Sequence, residues 1–331
     1  MKTRCNQCGR EFVIPDERVR ALARNATFPC PGCRGPVALR PAGQPAQSPE
    51  PDALKDRILG ALQDLPPMPE AAHRARAVLS DPDASFKRLA GIIETDPAIS
   101  TRVLKIANSP FYGARGKIAS IQQASAVLGT SVLMDLLTLA CSSQILDRSL
   151  AGYGLEASEF WRHSLAVAFG ARRIAERASP AEAQDAFMAG LLHDAGKIIL
   201  DPHVRERQSQ FAALLEPVPC PFTEAEQHVL GFDHATLAAD ACERWHLPAS
   251  IAEAIRHHHD PRNGGLLSQV VHAADAIAMM SGIGGGVDAL LYNADRESLD
   301  RLHLDDDAAF DLMTEMADYV DRTTGERGPV F

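Results

Sequence analysis

From Ala53 onward the apolar positions recur with a helical period, and almost no stretch alternates in the manner of a strand. Ala53–Leu65 is amphipathic and stops at Pro66-Pro67-Met68-Pro69. A second helix runs to Leu79, an Asp81-Pro82-Asp83 turn follows, and a third helix covers Phe86 to Ile93. Asp96-Pro97 is a start signal, with Asp as N-cap and Pro at the first helical position. It opens Ala98–Ala107, with Ile99, Val103, Leu104 and Ile106 inward, and Asn108-Ser109-Pro110 ends it. Ser120–Leu128 and Val132–Ile145 are two more helices, broken at Gly129-Thr130. Later come an apolar run (Ala186, Phe187, Ala189, Leu191, Leu192), a helix over Val270–Met280, and an acidic stretch, Leu299–Thr324, that reads as one or two closing amphipathic helices. The pattern predicts an all-α body.

The first 52 residues break that pattern. Cys5-Asn6-Gln7-Cys8 and Cys30-Pro31-Gly32-Cys33 are two CxxC pairs, each able to offer two thiolates to one tetrahedral zinc, with Gly9 and Gly32 easing the turns. Four sulfur ligands would leave the ion no open position, so its role would be structural. Residues 41–52 carry four prolines and have a linker composition, which excludes a helix and favours an extended spacer. The expected organisation is a short-β zinc ribbon at 1–40, a linker at 41–52, and a helical domain at 53–331. That domain divides into a lobe at 53–150 and a second lobe at 151–331.

Composition narrows the function classes. Of 331 residues, 46% are hydrophobic and 5% aromatic, which suits an Ala/Leu/Ile/Val helical core. No apolar run reaches membrane-spanning length and the start lacks a signal-peptide core, so a cytoplasmic protein is expected, where cysteines more often bind metal than form disulfides. The net charge of −10 is uneven: residues 1–40 hold eight Lys and Arg against three Asp and Glu, whereas the remainder is acidic. An acidic body argues against a broad nucleic-acid footprint and confines any such role to the ribbon.

The chemistry-bearing residues cluster late. His193-Asp194 places an imidazole beside a carboxylate, both good ligands for Zn, Mn or Fe(II). Adjacent helical residues point about 100° apart, so both reach one ion only near a helix end or kink, for which Gly196 is the candidate. Glu159 and His163 lie four apart on one helical face. His234, His258-His259 and Asp275 complete a set of transition-metal ligand types on separate helices. His257 and His272 neighbour stronger candidates and are set aside. His73, His203, His228, His246 and His303 are expected at the surface, Cys141 and Cys242 buried, and Cys220 exposed. Gly282-Ile283-Gly284-Gly285-Gly286 reads as a flexible connection, since no strand precedes it and no Lys-Ser/Thr follows.

Two resemblances add to this. The start, Cys5-Asn6-Gln7-Cys8-Gly9 followed by Phe12-Val13-Ile14-Pro15-Asp16-Glu17, is similar to a bacterial zinc-ribbon family. Leu65-Pro66-Pro67-Met68-Pro69, Ile92-Ile93-Glu94-Thr95-Asp96-Pro97, Leu104-Lys105-Ile106-Ala107-Asn108-Ser109-Pro110-Phe111-Tyr112-Gly113, Trp245-His246-Leu247-Pro248 and Ala254-Ile255-Arg256-His257-His258-His259 resemble the HDOD family of bacterial signalling domains, over roughly 53–278. The order His, His-Asp, His, His-His, Asp is similar to the wider HD phosphohydrolase superfamily, especially its HD-GYP branch, which hydrolyses cyclic di-GMP at a two- or three-metal centre. That likeness implies His163, His193, Asp194, His234, His258, His259 and Asp275 as ligands of two or three Fe, Mn or Zn ions. It also implies Glu159 as the extra carboxylate of three-metal members and Lys197 as a phosphate contact if the domain is a hydrolase. The Gly-Tyr-Pro loop of the HD-GYP branch is absent; Asp260-Pro261-Arg262-Asn263-Gly264-Gly265 stands there. HDOD domains are as a family degenerate HD domains that act as signalling outputs. The first expectation is therefore a non-enzymatic regulator working through protein partners, with the ribbon as docking module. The second is a metal-dependent phosphodiesterase acting on a cyclic dinucleotide or related nucleotide, and the third a nucleic-acid-binding regulator through the ribbon.

Overall fold

The computed structural model describes residues 2–4, 11–13, 27–29, 36–38, 51–65, 70–79, 86–112, 116–215, 220–284, 286–287, 292 and 294–324. Spatial proximity divides the chain into two units, Met1–Leu54 and Lys55–Phe331. In the first, β1 (Lys2–Arg4) pairs antiparallel with β2 (Glu11–Val13), and β3 (Thr27–Pro29) with β4 (Pro36–Ala38). Cys5, Cys8, Cys30 and Cys33 lie outside the described residues.

The first helix begins at Pro51, inside the expected 41–52 linker, because proline is tolerated in the first turn. Among the described residues the elements from there on are helices joined by turns. They are α1 (Pro51–Gln63), α2 (Glu70–Leu79), α3 (Phe86–Ile93), α4 (Pro97–Ala107), α5 (Ile121–Leu128), α6 (Thr130–Leu146), α7 (Ala157–Ala178), α8 (Ala183–Leu192), α9 (Gly196–Glu206), α10 (Gln208–Leu215), α11 (Phe222–Leu230), α12 (His234–Arg244), α13 (Ala249–Arg256), α14 (Leu266–Met280), α15 (Arg296–Arg301) and α16 (Asp306–Thr324). No described helix is long and apolar enough to cross a membrane.

The start of α4 follows from its cap: the Asp96 carboxylate accepts from the Ala98 and Ile99 amides, and Pro97 needs no donor there. Its end depends on Asn108. The side-chain amide donates to the carbonyls of Leu104 (2.7 Å) and Ile118 (2.9 Å) and accepts from the Ile118 amide (2.8 Å). One side chain thus closes the helix and holds Ile118 of the following loop against it. Beyond it, Phe111 meets Tyr319 of α16 edge-on at 4.6 Å, and Phe169 of α7 stacks on Tyr319 at 4.5 Å. The α5–α6 break is confined to Gly129, whose positive φ of 85° suits glycine; α6 already begins at Thr130.

Helix α7 is the central strut. It packs most extensively on α8, then on α14 and α16. Phe160, Trp161, Leu165, Val167 and Ile174 of α7, and Phe187, Leu191 and Leu192 of α8, are buried. Each such large side chain contributes about 1.5–3 kcal/mol by leaving water. The two helices approach closely at Gly190, where a Cβ would lie 2.7 Å from the Val167 carbonyl oxygen and 2.9 Å from Ala168 Cα. That approach sets the depth at which α8 delivers the residues after it.

His203, expected at the surface, is buried because its turn of α9 faces the interior. Cys141 and Cys242 are buried and Cys220 is half-buried rather than exposed. Gly190→Ala should force backbone apart against backbone. We expect it to cost about 1–3 kcal/mol, the usual range for overpacking, read as a lower urea midpoint with an unchanged slope.

Candidate metal centre

The His-Asp pair sits at a helix break. Helix α8 ends at Leu192, His193–Ala195 make a turn, and α9 starts at Gly196. Gly196 is required for proximity rather than as a left-handed cap: a Cβ there would lie 2.0 Å from the His234 carbonyl oxygen. The glycine therefore lets the first turn of α12 press onto the break, which carries His234 to Asp194. Helix α7 supplies His163, the end of α13 supplies His258 and His259, and α14 supplies Asp275.

These seven side chains converge. His163 Nε2 is 3.1 Å from Asp275 Oδ1, and His193 Nε2 is 3.3 Å from Asp194 Oδ2. His234 Nε2 is 3.3 Å from Asp194 Oδ1 and 2.8 Å from His259 Nε2. Three overlapping triads have their ligand atoms within 4.8 Å of one another: His163, His193 and Asp275; His193, Asp194 and His258; His234, His258 and His259. Asp194 thus turns one oxygen to the first group and the other to the third. All are buried except His259, which is half-buried.

The outer nitrogens of four imidazoles are each tied to an acceptor. His163 Nδ1 donates to the Ile283 carbonyl (3.0 Å), His193 Nδ1 to Gly190 (2.8 Å) and His258 Nδ1 to Ile255 (2.6 Å). His234 Nδ1 donates to the Glu226 carboxylate at 2.8 Å. Carbonyl and carboxylate oxygens only accept, so in the neutral imidazole the proton is on Nδ1 and the Nε2 lone pair points inward. His163 Nε2, His193 Nε2, His258 Nε2 and Asp275 Oδ1 are buried with no hydrogen-bond partner, while Asp194 Oδ2 meets the Lys197 ammonium at 2.8 Å. Inward lone pairs and carboxylate oxygens, with the far nitrogens held by acceptors, are the arrangement of metal ligands. The residues present fit divalent metal.

A model of the HDOD domain matches residues 65–261, more than half of the chain. The chain belongs to the HDOD family. The crystal structure of an HDOD domain protein of unknown function from Geobacter sulfurreducens superposes with a TM-score of 0.64 at 26% identity, covering 82% of this chain and 99% of that one. A Marinobacter aquaeolei VT8 structure, named as a candidate signal transduction protein, gives a TM-score of 0.61 at 23% identity, over 89% of this chain and 69% of that one. An uncharacterised Treponema pallidum (strain Nichols) protein is 23% identical over 208 residues, 62% of this chain and 40% of that protein. The match therefore spans less than half the length of that curated relative.

Electrostatics in this HDOD domain follow from burial and neighbours. Burial works against the charge on Asp194, yet His193 and Lys197 hold its carboxyl well below the ordinary range. Asp275 is lowered likewise by His193 and His163. Burial, with repulsion from His193 and His234 whenever these are protonated, pushes His258 down to about 3, so it stays neutral. His234 is raised despite burial, because Glu226 faces it.

Lys197 is buried, with Nζ 2.8 Å from Asp194 Oδ2 and 5.6 Å from the centre of the Tyr153 ring. Glu159 is not brought to the cluster. It is exposed and closes a capping box at the start of α7, its carboxylate accepting from the Glu156 amide at 2.8 Å.

Sequence reasoning missed three contributors. Glu226 is fully buried, accepts from the His234 ring and amide, and is held by the Tyr153 hydroxyl at 2.6 Å. A lone Glu in an amphipathic helix carries no such signal. Ile283 acts through its carbonyl, which no side chain advertises. The glycine run around it is also more than a connection: at Gly284 (φ 65°) a Cβ would lie 2.6 Å from both His163 Cβ and the Glu159 carbonyl oxygen. The third is Tyr292, whose ring lies 5.4 Å from His259 and 5.6 Å from His272. His272, set aside from sequence, is buried; its Nε2 accepts from the Asp295 amide, so its Nδ1 donates to the His258 carbonyl at 2.7 Å.

A cavity of about 420 Å³ opens onto His234 and His259, walled by Phe222, Tyr292 and His272, with Glu224, Asp233, Asp260 and Arg256 around it. Glu226→Gln should keep the shape and remove the charge behind His234. We expect an affinity for Mn²⁺ about 10–100-fold weaker, the usual loss when such a partner is removed, read by titration against a competing chelator.

Proposed function

We propose that the helical unit is a regulatory HDOD domain that carries divalent metal in its interior and signals through protein contacts. The observation that carries the metal reading is the uniform anchoring of four imidazoles by Nδ1, with their Nε2 atoms turned toward Asp194, Asp275 and one another. His163, His193, Asp194, His234, His258, His259 and Asp275 would hold the ions, with Glu226 orienting His234 and Lys197 set against Asp194. The family of the chain supports a signalling role. The ribbon at 1–40, holding one zinc through Cys5, Cys8, Cys30 and Cys33, is proposed as a docking module joined by the linker at 41–52.

A second reading is a metal-dependent phosphohydrolase, favoured by the cavity beside His234 and His259. When bound, a pair of divalent ions supplies Lewis acidity toward a phosphoryl oxygen. The charge around the cavity ranks this reading second. Glu224, Asp233 and Asp260 repel a phosphodiester, and Arg256 is already paired with Asp240 (2.9 Å) and Glu243 (2.8 Å).

The test compares the metal content of the purified full chain with that of a His193→Ala/Asp194→Ala variant, so that ribbon zinc cancels. We expect the variant to lose metal from the helical unit while keeping its helical content. Equal metal content would overturn the reading. Turnover of cyclic di-GMP by the Mn²⁺-loaded chain, absent in the variant, would move the conclusion to the hydrolase.

A further inference from the structure

The interior ligands are not equally reachable. His163 and His193 are 0% exposed and Asp275 1%, and none of the three lines the cavity. His234 and His259 do line it, and His259 is half-buried rather than sealed. The triad of His234, His258 and His259 is therefore one side chain away from solvent, whereas the triad of His163, His193 and Asp275 lies behind α7 and α14. The cavity is also charged for cation entry. Glu224 and Asp260 are exposed, Asp233 is half-buried, and the Arg256 guanidinium there is drawn away by Asp240 and Glu243. Carboxylates at the mouth of a cleft concentrate cations in it.

We propose that the two ends of this centre bind metal with different lability. The outer triad, His234, His258 and His259, takes an exchangeable divalent transition cation through the cavity. The inner triad, His163, His193 and Asp275, holds one that leaves only when the helices open. The proposal rests on the metal reading above and extends it: the HDOD domain has a divalent cation as a reversible ligand at one position and as a permanent part of its core at the other. Donor chemistry agrees, since three imidazoles form the outer position and two imidazoles with a carboxylate the inner one, both suited to first-row divalent ions.

The experiment uses the full chain loaded with Mn²⁺, because thiolate ligands such as those of the ribbon select softer metals. After removal of free ion, excess EDTA is added and the Mn²⁺ remaining on the protein is counted over time by mass spectrometry. We expect one equivalent to leave quickly and a second at least about tenfold more slowly, since its exit needs local opening of packed helices. His259→Ala should abolish the fast fraction and leave the slow one, and Asp275→Asn should remove or accelerate the slow fraction alone. Two equivalents leaving in one phase would overturn the proposal and leave the metal reading intact, as would loss of the slow fraction in His259→Ala. A chain that retains no Mn²⁺ would overturn both.

Discussion

The interior of this protein is governed by what happens to buried nitrogen and oxygen atoms that have no hydrogen-bond partner. An unsatisfied buried polar group costs about 1–3 kcal/mol, and more when charged. Here four such atoms, from His163, His193, His258 and Asp275, face one another inside the helical unit. They are not accidents of packing, because the opposite edge of each imidazole is tied to a carbonyl. The backbone orients the rings, and the rings define an inward-facing set of lone pairs. Such a set has the donor chemistry to suit a divalent cation.

The surrounding helices can be understood as supports for that geometry. Gly190 lets α8 settle onto α7 and also provides the carbonyl that orients His193. Gly196 admits the backbone of α12, so that His234 reaches Asp194. Gly284 lies against His163 while its neighbour Ile283 holds the ring. At Gly190 and at the Ile283–Gly284 step close backbone approach and ring orientation coincide, whereas the His234 ring is set by Glu226. The charges are balanced in the same compact manner. Asp194, Asp275 and Glu226 are all buried, Lys197 faces Asp194, and His234 faces Glu226. Buried charges are tolerated only when paired in this way.

The centre is also asymmetric. One side is closed by α7 and α14, and the other opens to a cavity bordered by carboxylates and by Tyr292. The departure from the HD-GYP pattern falls on the open side, where Asp260-Pro261-Arg262 follows the His-His pair. Asp260 borders the cavity, and Arg262 is drawn to Asp295 at 2.6 Å. The loop therefore presents a carboxylate to the cavity while its arginine is paired elsewhere.

Much of the fold was legible because helices are local objects. The Asp96-Pro97 start, the Gly129 break and the body of the helix expected at Val270–Met280, which begins earlier at Leu266, follow from caps, backbone freedom and a 3.6-residue period, all of which act over a few residues. The ligand types at His193, Asp194, His234, His258, His259 and Asp275 were visible for the same reason, since donor chemistry belongs to the side chain. What the tertiary structure decided was proximity and direction. It placed Glu159 at a helix cap and Glu226 behind His234, although both are ordinary glutamates in sequence. It turned the Gly-rich run into a ring support and buried His203. Those outcomes depend on which backbone atoms lie within 3 Å across helices far apart in the chain, and no local pattern of residues carries that information.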